Sequence, residues 1–163
     1  MPSILIRYFF LGFVLLTPAR AQSPADMPGW TSAIRADGVE WKPRSLPPGR
    51  VFLYTVFFPS SGRGTLLQDV QAFTAIDAAR LGTISQKLKP EVSGNMLTIS
   101  GAVRDRGNSR ILTYLAFRSG NENRLARVIC EPDEKLYLPY LSEVGRHFAG
   151  ITRTSGQSSY HHR

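Results

Sequence analysis

Cys130 and His147 are the two residues whose types best suit covalent chemistry. Cys130 closes the apolar run "RVIC" and is the sole cysteine; His147 lies in "EVGRHFAGI". A histidine beside a cysteine can take its proton and leave a thiolate nucleophile, so a small thiol-dependent hydrolase is one reading. No thiol-enzyme signature surrounds either residue. A cysteine that ends an apolar run ordinarily packs as a small hydrophobe, and the reading favoured here has no catalytic residue. His161 and His162 are adjacent in a polar tail, so their rings do not converge on one ion, and neither a calcium-loop spacing nor H-E-x-x-H occurs. No metal and no cofactor is expected.

Anion binding is the second chemistry the residues suggest. "PSSGRGT" combines glycines, hydroxyls, Arg63 and the free amides of a helix start, although its spacing is not that of a P-loop. Its glycines equally suit a simple reversal of the chain. Arg104, Arg106 and Arg110 surround the turn "RDRGNSR", while Arg118 and Arg124 flank the next turn. In a meander of strands those two turns fall at opposite ends, so these five arginines do not make one patch. The candidates for binding an anion or a partner are therefore Arg63, Arg104, Arg106 and Arg110, against the alternative of charged turns that are merely hydrated.

The start of the chain bears on where such chemistry would happen. Arg7 precedes the apolar block "YFFLGFVLLT", and Ala19 and Ala21 form an A-x-A site before Gln22. This is the pattern of a secretory signal, and the block is far shorter than the ~20 residues that span a bilayer. A cleaved signal over 1–21 implies a periplasmic or secreted protein without a stable membrane anchor. Removing it from the 163 residues leaves 142, and losing Arg7 and Arg20 lowers the net charge from +8 to +6. One cysteine excludes an internal disulfide, so packing alone must stabilise the domain. The basic excess lacks the clustered, aromatic-interleaved pattern of a nucleic-acid surface, and no nucleic acid is expected as a partner.

The elements that must position these residues follow from periodicity. Residues 22–28 read as a disordered lead. "WTSAIR" and "VEWKP" flank Asp37-Gly38, which predicts a hairpin. "VFLYTVFF", residues 51–58, is apolar almost throughout and predicts a central strand covered on both faces. "TLLQDVQAFTAIDAARLG" predicts a helix: Thr65 and Gln68 form a capping box, and Leu66, Val70, Phe73 and Ile76 form an apolar stripe. "ISQKLKPEVSGN" reads as a connection. "MLTIS", "ILTYLAF" and "RLARVIC" predict a three-stranded meander. A closing helix is expected over "PYLSEVGRHFAGI", with Pro139 in its first turn and Tyr140 or Leu141, Val144, Phe148 and Ile151 on its buried stripe. The order is β-β-β-α-β-β-β-α, an α+β fold in which two helices pack on a six-stranded, mostly antiparallel sheet. A single domain is expected over 29–151, with a polar, flexible tail over 152–163.

The segments "GWTSAIRADGVEWKP", "VFLYTVFFP", "TLLQDVQAF" and "ILTYLAFRSGNENRLARVI" together resemble the Mog/PsbP-like α/β/α sandwich, over roughly residues 29–151. That resemblance implies a small non-catalytic domain, often exported, that binds another protein or stabilises an assembly. It carries over no functional residue. The expectation is thus a binding or accessory domain of the bacterial envelope, with another envelope protein as its partner. A carrier of a small apolar ligand held near Phe52, Tyr54 or Tyr114 is the further alternative.

Overall fold

The computed structural model describes residues 27–157. The leader expected at 1–21 lies outside the described residues, as do His161 and His162. The chain divides into two compact units, one over Thr31–Pro132 and one formed by the segment up to Trp30 with Asp133 onward.

The Thr31–Pro132 unit is built on one open sheet. Its strands are β1 (Trp30–Ile34, whose first residue belongs to the other unit), β2 (Gly38–Pro43), β3 (Phe52–Phe57), β4 (Ser60–Ser61), β5 (Thr83–Ser93), β6 (Met96–Asp105), β7 (Asn108–Ser119) and β8 (Glu122–Cys130). They lie in the order β1-β2-β3-β8-β7-β6-β5, with β4 pairing β8 off this path. The pairings of β2 through β8 are all antiparallel.

The sequence pattern predicts six strands, and the sheet holds eight. β4 is a two-residue rung that no periodicity can announce. β5 is the segment that reads as a connection, because an edge strand lacks the apolar alternation of a half-buried one. Most of it is exposed, and its register shifts between Ile84 and Gln86 and between Gln86 and Lys89. Bulges, lysines and Pro90 are devices that keep an edge from pairing with a further strand.

Helix α1 (Leu66–Leu81) crosses one face of the sheet. The capping box is present: the Gln68 amide donates to Thr65 Oγ1 at 3.2 Å, and the Thr65 amide to Gln68 Oε1 at 3.0 Å. Val70 and Ala78 pack on Phe57, Leu97, Ile99, Val103, Leu112, Ala116 and Leu125. The buried stripe differs from the predicted one. Ile76 is 59% exposed, and the inward positions are Val70, Thr74, Asp77 and Ala78. An apolar pattern cannot anticipate a carboxylate on the core face; Asp77 sits there because the sheet supplies its partners. The opposite face is buried as well, through Phe52, Tyr54, Leu115, Phe117, Val128 and Cys130.

At the C-terminal end of α1 the chain turns into β5 at Gly82, where a Cβ would lie 2.6 Å from the Arg104 carbonyl oxygen. Glycine is required by that close approach.

In the second unit, helix α2 spans Glu134–Gln157. It starts earlier than expected. The Asp133 carboxylate accepts from the Leu136 amide at 3.2 Å, an N-cap bond that sets the start upstream of Pro139. Pro139 therefore lies inside the helix, where it withholds one backbone donor. Tyr137, Leu141, Val144 and Phe148 form its buried stripe. Trp30 Nε1 donates to Glu143, and the Trp30 ring meets Tyr140 edge-on at 6.0 Å.

Candidate functional site

Cys130 ends β8 between Phe52 of β3 and Ile111 of β7, and is 1% exposed. Burial, reinforced by the neighbouring Glu131 charge and partly offset by Arg110, pushes its thiol up to about 12. At pH 7 that leaves roughly one part in 10⁵ as thiolate, the opposite of what an attacking cysteine needs. His147 is a half-buried residue of α2. Among the described residues no three His, Cys, Asp or Glu side chains gather where they could hold a metal ion.

The residues named for an apolar carrier do not converge. The register pairs Tyr114 with Arg127 and Arg127 with Thr55, which places Tyr114 on the α1 face. Phe52 and Tyr54 alternate with Thr55 and so face the other way. All three are fully buried.

Two polar networks tie α1 to the sheet. In the first, Arg127 Nη1 contacts both Asp77 carboxylate oxygens at 2.7 Å, and the Tyr114 hydroxyl donates to Asp77 Oδ2 at 2.8 Å. Arg127 Nη2 reaches Thr55 Oγ1 at 3.4 Å, and its guanidinium lies 5.3 Å from the centre of the Phe57 ring. The Arg127 and Asp77 side chains are each 12% exposed. Burial, with the Asp77 charge and hydrogen bond, holds the Tyr114 hydroxyl protonated far above its ordinary range, a rise that Arg127 partly counters. This is a helix-positioning device: the Asp77 carboxylate on α1 finds its partners, Arg127 and Tyr114, on the facing strands.

The second network fills the loop "PSSGRGT" with an anion of the chain's own. The Arg63 and Gly64 amides donate to the Asp69 carboxylate at 3.0 Å each. Asn123 Nδ2 and Arg118 Nη2 donate to the same carboxylate at 2.9 and 2.7 Å, and Arg118 Nη1 donates to the Gly64 carbonyl at 2.7 Å. The Asn123 hydrogen bond first, then the two amides and the Arg118 charge, lower the Asp69 pKa against its desolvation. The amides that suggested an anion site are thus occupied by Asp69. The Arg63 side chain is exposed beside them.

The remaining candidates belong to the other end of the sheet. Arg104 is next to last in β6, Arg106 stands at the apex of the β6–β7 hairpin, and Arg110 is the third residue of β7. Arg63 is at the far end, where Gly62 donates to the Asn121 carbonyl, so it does not join them. Arg106 has φ 47° and Gly107 φ 87°, a two-residue turn with both central residues left-handed. Asn-Gly is the usual occupant of such a turn, and arginine is not.

Antiparallel pairing brings further arginines to this end. The Phe52–Cys130–Ile111 rung places the β2–β3 connection beside the hairpin, with Arg44 and Arg50 on it. The pairing of Thr83 with Arg104 brings the last turn of α1, and Arg80, to the same place. Arg50 and Arg110 each bond one oxygen of Glu131, at 3.3 and 3.2 Å. Within the Thr31–Pro132 unit this end carries Arg44, Arg50, Arg80, Arg104, Arg106 and Arg110 against Asp105 and Glu131. The opposite end carries Arg35, Arg63, Arg118 and Arg124 against Asp37, Glu40, Asp69 and Glu122. Three of its arginines are ion-paired, Arg35 to Glu40, Arg118 to Asp69 and Arg124 to Glu122. One end is balanced and the other strongly basic. Arg44 and Arg80 escape a reading by individual turns, because only the strand order shows that they share an end.

No helix among the described residues is long and apolar enough to cross a membrane. No family model matches the chain, and no curated protein matches it significantly. Among solved structures the chain is similar to LpqN of Mycobacterium tuberculosis, a protein involved in cell envelope biogenesis. The identity is 13% and the TM-score 0.45, over 72% of this chain and 75% of that one. A likeness of that depth assigns neither a family nor an activity.

Proposed function

We propose that the chain is an exported, non-catalytic binding or accessory domain of the bacterial envelope, acting through the basic end of its sheet on an anionic component there. The observation that carries this is the segregation of charge. Arg44, Arg80, Arg104 and Arg106 make no ion pair among the described residues, while the arginines at the opposite end are largely neutralised. Unpaired charges of one sign gathered at one end of a sheet raise the local potential and draw an approaching anion. The leader pattern at 1–21 supports export, and the protonated, buried Cys130 thiol supports a role without nucleophilic catalysis.

The test is retention on immobilised polyglutamate across a salt gradient. Arg104→Gln/Arg106→Gln should elute at clearly lower salt than the unaltered chain, and Arg35→Gln/Arg63→Gln nearly with it. Equal shifts for both pairs would mean that net charge alone drives retention, and the assignment to this end would fall.

A further inference from the structure

We infer that residues 22–26 fold back from a turn at Met27–Trp30 and pair antiparallel with β1, closing that edge of the sheet. β1 is the outermost strand on its side, with β2 as its neighbour. The Arg35 amide donates to the Gly38 carbonyl at 2.8 Å, so Arg35 turns its backbone groups toward β2. Thr31 Oγ1 donates to the Lys42 carbonyl at 3.2 Å, which keeps the far end of β1 in the same register. Backbone groups along an antiparallel strand alternate in direction, so those of Thr31 and Ala33 face β2 as well. Those of Trp30, Ser32 and Ile34 face the open edge.

The Trp30 amide shows which way the preceding chain runs. It donates to the Met27 carbonyl at 3.1 Å across a turn with Pro28 second and Gly29, at φ 82°, third. That is the type II pattern, and it reverses the chain. Because the Trp30 amide faces the open edge, the reversal delivers residues 22–26 to that edge. A type II turn matches strand twist less well than the primed turns, which suits a short ladder and not a long hairpin.

Continuing the Met27–Trp30 register sets Ala25 opposite Ser32 and Ser23 opposite Ile34 as bonded pairs, with Pro24 opposite Ala33. The donor that proline lacks would then point away from β1, where the ladder has no use for it. On that outer side Pro24 also blocks any further strand from adding. The other edge of the sheet already has such a guard: β5 carries Pro90, two lysines and register shifts. β1, "WTSAI", has neither charge nor proline. Residues 22–26 supply the cover that β1 does not provide for itself, whether or not the leader is removed.

The test is amide hydrogen exchange read residue by residue in the full chain. The Ser32 and Ile34 amides should exchange at least about tenfold more slowly than in an unstructured peptide, the factor for one hydrogen bond. Ala25→Pro removes the donor to the Ser32 carbonyl and should return both amides to the unstructured rate. Pro24→Ala, at the outward position, should leave their protection unchanged. The Thr31 and Ala33 amides, bonded to β2, should stay protected in all three chains, which separates loss of the added strand from loss of the fold. Free exchange of Ser32 and Ile34 in the unaltered chain overturns the pairing. So does protection that survives Ala25→Pro or is lost in Pro24→Ala. Protection that rises with protein concentration would assign the edge to a second copy of the chain instead.

Discussion

Replacing Asp77 by alanine tests whether the buried polar network, more than apolar contact, sets α1 on the sheet. The substitution leaves the Arg127 guanidinium in place with its side chain 12% exposed and its carboxylate gone. Breaking a buried ion pair in this way costs about 3–5 kcal/mol. The Tyr114 hydroxyl, fully buried, also loses its acceptor, for about 1 kcal/mol more. Alanine recovers about 0.5 kcal/mol through its higher helix propensity. The net expectation is about 4 kcal/mol, or a fall in Tm of roughly 10–15 °C for a chain of this size. Urea unfolding followed by fluorescence reads it, since Trp41 is buried in the same unit. The decisive comparison is the double variant Asp77→Ala/Arg127→Met, which removes both charges and should cost only about 1–2 kcal/mol. A cycle in which the double variant costs the full sum of the singles would show that the two groups do not act as a pair. So would an Asp77→Ala variant losing less than about 1 kcal/mol.

Asp69 makes the stability acid-sensitive. Its folded pKa is lowered, so its contribution is fully present above the unfolded carboxylate value of ~3.9 and is lost as pH falls through the folded value. Asp69→Asn should accordingly flatten the urea midpoint against pH below about pH 4, with little change in slope above pH 6. Cys130 should resist a soluble alkylating reagent at pH 8 in the native chain and react promptly in urea. A thiol held at about 12 is ionised roughly a thousandfold less than a free cysteine at that pH, before access is counted. Arg106→Asn, matched to the left-handed apex, should raise stability by about 0.5–1 kcal/mol while weakening polyglutamate retention. A gain in stability with no loss of retention would remove Arg106 from the binding surface.

Local chemistry made much of this protein readable without coordinates. The Thr65–Gln68 capping box, the two-sided burial of residues 52–57 and the strands that became β6, β7 and β8 all follow from residue type and period, which act over a few neighbours. β5 was not readable, because an edge strand needs no apolar alternation, and the start of α2 was obscured by Pro139 although Asp133 caps it. Individual arginines around the 104–110 turn were visible as candidates, but their company was not. Arg44 and Arg80 lie far from them in sequence and reach the same end only through the order β3-β8-β7-β6-β5. The same holds for Asp77, polar on a core face because Arg127 and Tyr114 await it there, and for Asp69, which takes the amides a loop seemed to offer to a ligand. The sequence by itself determined most of the elements, the cap of α1 and the excess of positive charge. Tertiary structure decided which charges are neutralised and which stand together, because ion pairing depends on distances of a few ångströms between residues that the chain alone keeps far apart.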